Sequence, residues 1–130
     1  MIRSASVLFA GLLLALSSLP ALANDCVPKN IFFTDKIDQR DPGKNLGTHA
    51  VNIDKLYLYV SMDCSQISKD EKFNVRWFFA DQPLQIQTIP LGISPSWRTF
   101  SFATARSGRW RVELAWTDGS VFATQEIEID

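Results

Sequence analysis

From Lys55 onward the chain alternates apolar and polar positions with a period of two, the pattern of strands that bury one face. Leu56, Leu58, Val60 and Met62 alternate with Lys55, Tyr57, Tyr59 and Ser61, which predicts a strand with one aliphatic face and one face carrying two tyrosines. Phe73, Val75, Trp77 and Phe79 alternate with Asn74, Arg76 and Phe78; the run turns at Asp81-Gln82-Pro83 and resumes with Leu84, Ile86 and Ile89, a hairpin. With Asp81 and Gln82 as its central residues, Phe79 faces Leu84 and Trp77 faces Ile86, so the apolar faces coincide.

A second hairpin, over 109–129, is the best specified element, because Asp118-Gly119 is a strong two-residue turn signal between alternating runs. Centred there, Trp116 faces Val121, Leu114 faces Ala123, Val112 faces Gln125 and Trp110 faces Ile127. The other face pairs Arg111 with Glu126 and Arg109 with Glu128, opposite charges each worth roughly 0.2–1 kcal/mol. A further strand covers 97–102: Arg98, Phe100 and Phe102 share one face and Trp97, Thr99 and Ser101 the other, and the pattern does not choose which is buried. A short strand at 31–33 opens the domain. About seven strands with turn-rich spacers predict an all-β fold, an antiparallel immunoglobulin-like β-sandwich. Residues 34–54 and 65–72 are polar and rich in turn formers, hence loops, the first long enough to suspect function.

The N-terminal 23 residues follow a different pattern. Arg3, an apolar run from Val7 to Leu16, Pro20, and Ala21-Leu22-Ala23 match a secretory leader cleaved after Ala23. Its apolar core is too short to cross roughly 30 Å of hydrocarbon, and no later segment approaches about 20 apolar residues, so no membrane insertion is expected after cleavage. Loss of the leader leaves residues 24–130 of the 130-residue chain, one domain with a single core. The expected location is the periplasm, or outside the cell. In an oxidising compartment, Cys26 and Cys64 read as one disulfide, worth roughly 4 kcal/mol in the chain-entropy model. The formal net charge of −1 falls to −2 when Arg3 is removed, which gives no electrostatic case for nucleic acid or an anionic membrane as partner.

Trp97-Arg98-Thr99-Phe100-Ser101, then Gly108-Arg109-Trp110-Arg111-Val112 and Asp118-Gly119, resemble a bacterial family, domain of unknown function 2914. Phe33, Ile37, Arg40 and Pro42 are similar to that family's opening block, and Val75-Arg76-Trp77 sits where its members carry a tryptophan strand. Arg76 departs from the polar or histidine-containing segment expected there. The resemblance spans roughly residues 31–129 and implies an extracytoplasmic β domain, but no reaction.

Catalytic parts are scarce. His49 is the only histidine, lies in a predicted loop, and has no nucleophile in a recognisable context nearby. A solvated loop histidine is the preferred reading over a Ser-His-Asp hydrolase. One histidine and two oxidised cysteines cannot complete a zinc ligand set. Asp35, Asp38 and Asp41 do not follow a calcium-loop order and are interleaved with Lys36 and Arg40. No cofactor or metal is called for. Arg98, without an assigned partner and flanked by aromatics, and Arg76 are candidates for an ion pair, stacking or anion recognition. Tyr57, Tyr59 and Phe78 project away from the aliphatic faces of their strands and form a candidate binding surface. The expected role is a non-catalytic binding or accessory module engaging an envelope protein; a cell-wall glycan module using the tyrosine face is one alternative, and a hydrolase dependent on His49 another.

Overall fold

The computed structural model describes residues 26–67 and 70–130, so the leader expected over 1–23 lies outside the described residues. Seven strands of eight to ten residues form the body: β1 (Val27–Thr34), β5 (Lys55–Asp63), β6 (Glu71–Phe79), β7 (Gln82–Leu91), β8 (Trp97–Thr104), β9 (Gly108–Trp116) and β10 (Val121–Ile129). The long loop contains three two-residue strands, β2 (Ile37–Asp38), β3 (Asp41–Pro42) and β4 (His49–Ala50). A three-stranded sheet in the order β1-β5-β8 packs on a five-stranded sheet in the order β4-β10-β9-β6-β7. This is the all-β sandwich that the alternation implied.

The faces follow the period-two pattern. Leu56, Leu58, Val60 and Met62 from the small sheet meet Phe73, Val75, Trp77, Trp110, Val112 and Leu114 from the large one, and all are buried. In β8 the inward face is Ser101 with Ala103, and Phe100 and Phe102 face out. Inside, Trp77 stands edge-on to Trp110, ring centroids 5.9 Å apart, and meets Phe33 at 6.2 Å. Its indole Nε1 donates to Ser101 Oγ across the sandwich at 2.8 Å, and Ser101 Oγ donates in turn to Gln87 Oε1 at 2.6 Å. The direction is forced, since an indole N–H can only donate. Cys26 and Cys64 form a disulfide that joins the start of β1 to the end of β5, neighbouring strands of one sheet.

Two hairpins depart from the expected registers. In β6–β7 the central turn residues are Ala80 and Asp81, at φ 51° and 66°, a primed turn one residue earlier than expected. Phe79 pairs with Gln82 and Phe78 with Pro83; after an irregularity Trp77 pairs with Gln85 and Arg76 with Ile86. A one-residue slip moves every side chain to the other face. Leu84 and Ile86 therefore lie outside, Ile86 at 68% exposure, while Ile89 and Leu91 are buried. The two apolar pairs of β7 have opposite parity along the strand, so one pair must be left out. Burying Ile89 and Leu91 also places Gln87 over Ser101, where it completes the hydrogen-bonded chain from Trp77.

In β9–β10 the expected register holds for Arg109–Glu128 through Leu114–Ala123, but an irregularity at Phe122 places Val121 opposite Ala115 rather than Trp116. The turn is a three-residue one: Gly119 N donates to Trp116 O, Trp116 N donates to Ser120 O, and Gly119 takes φ 94°. Asp118 Oδ1 accepts from Ser120 N at 2.9 Å and from Ser120 Oγ at 2.7 Å, which holds its carboxyl below the ordinary value of 3.8. This contribution is complete above the unfolded aspartate range and is lost as pH falls through the lowered folded value.

Ala80 carries a left-handed conformation that disfavours a side chain with a Cβ, whereas asparagine tolerates it. Ala80→Asn should raise stability by up to about 1 kcal/mol, read as a higher urea midpoint with an unchanged slope; a lower midpoint would contradict the turn assignment.

Candidate functional site

The small sheet presents two cross-strand rows of aromatics on its outer face. Antiparallel register aligns Phe32 with Tyr59 and Phe100, and Thr34 with Tyr57 and Phe102. Ring centroids lie 5.2 Å apart for Phe32–Tyr59, 5.8 Å for Tyr57–Phe100 and 5.5 Å for Tyr57–Phe102. Contacts of this kind contribute about 0.5–1.5 kcal/mol each beyond area burial. Lys55 Nζ sits 5.1 Å from the Phe102 centroid. Exposure rises toward the β8 edge: Tyr59 is only 7% exposed, Phe100 38% and Phe102 45%. Tyr59 thus supports the face from within, and the accessible rings are phenylalanines.

The β2–β3 hairpin flanks this face. Gln39 and Arg40 form its turn at φ 53° and 73°, and Gly43 N donates to Lys36 O behind it. Asp41, one of the loop aspartates, accepts from Arg98 Nη1 at 2.7 Å. Arg98 therefore has a partner that the sequence did not assign. A cleft of about 480 Å³ opens beside it, lined by Arg40, Trp97, Arg98, Thr99 and Phe100 on one side and by Ile89 and Pro90 on the other.

The other candidates lie elsewhere. Arg76 and Phe78 are on β6, in the large sheet, and do not join Tyr57 and Tyr59 on one surface. Arg76 is 3.8 Å from Glu113 and donates to Gly119 O. The Arg111 guanidinium stacks 4.2 Å from the Phe78 centroid and donates to Asp81 Oδ1 at 2.8 Å. Its Nε lies 3.4 Å from Glu113 Oε2 but is not aligned for a hydrogen bond and has no other partner. Arg111 thus stands opposite Glu126 in register but bonds to Asp81, because the β6–β7 turn brings that carboxylate over it; Arg109 keeps its expected partner, Glu128, at 3.8 Å. His49 Nε2 meets Asp130 Oδ2 at 2.9 Å, both exposed, and no serine or threonine hydroxyl is hydrogen-bonded to the imidazole among the described residues.

Phe32, Phe100 and Phe102 were not among the sequence candidates. The signal for two of them was present, since Arg98, Phe100 and Phe102 share a face, but assigning that face requires knowing that β8 pairs with β5. Phe100→Ser and Phe102→Ser should each lower stability by less than about 1.5 kcal/mol, in line with their partial burial, whereas Phe33→Ala in the core should cost about 3–5 kcal/mol. Equal losses in urea unfolding would mean that the outer rings serve the fold.

Comparison with known proteins bears on the family and the fold. No curated protein matches the sequence. Among solved structures, the chain is similar to an immunoglobulin-like protein from Pseudomonas aeruginosa, with a TM-score of 0.53 and 9% identity over 81% of this chain and 96% of that one, a likeness of fold. The family described as Protein of unknown function (DUF2914) matches residues 70–129, which include β6 to β10 and leave the block around Phe33 and Pro42 outside the match. Over residues 70–129 the chain matches the DUF2914 family, and its fold is an immunoglobulin-like sandwich.

Proposed function

We propose that this protein is an exported, non-catalytic binding domain that engages an envelope protein through the outer face of its small sheet. The observation that carries this reading is the pair of aromatic rows ending in the half-exposed Phe100 and Phe102. Isolated exposed apolar side chains are ordinary, but a contiguous aromatic patch marks an interaction surface. Aromatic anchors of this size are the usual energetic centres of protein interfaces. The outer face of the large sheet is a weaker candidate, because Arg76, Glu113, Arg111 and Asp81 neutralise one another there.

Two features favour protein over cell-wall glycan. The most exposed rings are phenylalanines, which lack the polar edge that sugar hydroxyls use, and Tyr59 is buried. The leader-like residues 1–23 and the Cys26–Cys64 disulfide support export. The surroundings of His49, an exposed hydrogen bond to Asp130 Oδ2, offer no support for a hydrolase.

A photo-crosslinking amino acid placed at position 100, and separately at position 86 on the opposite sheet, should give a discrete protein adduct in living cells at 100 only. Adducts at 86 alone, or retention on purified cell-wall sacculi that is lost in Tyr59→Ala, would overturn the reading.

A further inference from the structure

The edges of the two sheets differ in how they are protected. β4 is two residues long; β7 carries Pro83 and Pro90, which remove two N–H donors; β1 carries Pro28, an irregularity next to it, and a carbonyl at Phe33 already taken by Leu46 N. Short strands, prolines and irregularities are the ordinary means of blunting an edge. β8 has eight residues, no proline and an uninterrupted register with β5. It is the edge of the small sheet left able to pair; in the large sheet β4 covers β10 only at Glu128 and Ile129, so its 121–127 stretch is open as well.

The direction of its free backbone groups can be read from a side chain. Gln85 Nε2 donates to the Phe102 carbonyl at 3.0 Å, so that carbonyl points out of the ladder, away from β5. In antiparallel pairing such residues alternate with bonded ones, which places the N–H and C=O of Arg98 and Phe100 at the open edge as well. The cleft of about 480 Å³ lies beside this stretch. At its far end Gln85 and Gln87 reach across from β7 to Phe102 and Ser101 and close it. What stays open is the Trp97–Phe100 half of β8, about 13 Å of strand.

We infer that this half of β8 receives an extended segment of the partner protein as a fourth strand of the small sheet, with a carboxylate side chain set against Arg40. The inference rests on the protein-binding reading above and names the chemistry of the partner. Alternate side chains of the added strand point to opposite faces. One set enters the cleft against Ile89 and Trp97; the other lies outside, against Phe100. Main-chain pairing supplies affinity, and the alternate pockets supply selectivity.

Charge complementarity selects the carboxylate. Of the two arginines lining the cleft, Arg98 is held by Asp41, whereas Arg40 is in no ion pair among the described residues. Arg40 also occupies a left-handed turn position at φ 73°, where glycine is the preferred residue, so the turn itself does not call for arginine. A guanidinium beside an open edge matches a carboxylate on the incoming strand.

The test uses the purified protein and a phage-displayed library of random twelve-residue peptides. Selected peptides should share apolar residues at alternate positions and one Asp or Glu at a fixed offset. A synthetic consensus peptide, followed by fluorescence anisotropy, should bind at least about tenfold more weakly to Arg40→Glu, and a peptide with Lys in place of its acid should recover the loss. Arg40→Gly, which gives the turn its preferred residue, should weaken binding without lowering the thermal midpoint. N-methylation of the peptide should block binding at every second residue and be tolerated between. No enrichment, binding indifferent to Arg40, or N-methylation without a two-residue period would overturn the inference. An adduct from position 100 that persists in Arg40→Glu cells would overturn it while leaving the binding-face reading standing; loss of the adduct in the Phe102→Ser background but not in Arg40→Glu would do the same.

Discussion

Trp77 ties the two layers of this sandwich together. Its ring is fully buried between Phe33 and Trp110, and its one polar atom finds a partner in the opposite sheet, Ser101 on β8. A buried indole N–H without an acceptor would cost about 1–3 kcal/mol, so the serine has to be there and β8 has to lie at that height. The disulfide cannot take over this task, because it joins adjacent strands of one sheet rather than the two sheets. From this one contact follow the inward face of β8, the outward face bearing Phe100 and Phe102, and the parity of β7, whose Gln87 Oε1 accepts the hydrogen bond that Ser101 Oγ donates.

What could be read in advance divides along physical lines. Alternation placed Leu56, Leu58, Val60, Met62, Phe73, Val75 and three tryptophans inside, because in each of those strands the large apolar side chains other than Tyr57, Tyr59 and Phe78 share one parity. It failed in β7, where Leu84-Gln85-Ile86 and Ile89-Pro90-Leu91 carry apolar pairs of opposite parity and both registers bury two large residues. The choice there is made by tertiary hydrogen bonds, Gln85 donating to Phe102 O and Gln87 accepting from Ser101 Oγ, which no local pattern contains. The same limit applies to charge. Arg109 found the glutamate its register assigned, while Arg111 bent to an aspartate delivered by another hairpin.

The candidate site was half legible for the same reason. Tyr57 and Tyr59 stood out from their own strand, but the aromatic rows exist only once β1, β5 and β8 are aligned, and these strands are far apart in sequence. Phe78, grouped with the tyrosines on sequence alone, belongs to the other sheet. Arg98 is fixed by Asp41 from a loop whose hairpin was not foreseen, and that hairpin is what carries Arg40 to the cleft. Small-sheet aromatics, an edge strand without proline, and an arginine in no ion pair among the described residues thus converge on one side of the molecule, next to the strand that Trp77 holds in place.

Strand addition at β8 requires that β8 be an ordered strand whose outer edge is free. Amide hydrogen exchange along β8 tests this directly in the unliganded protein. The prediction is alternating protection, with Thr99 and Ser101 slow because they are bonded to β5, and Arg98 and Phe100 fast because their N–H groups face solvent. Phe100 as protected as Ser101 would mean that the edge is already covered, and the central claim would be wrong.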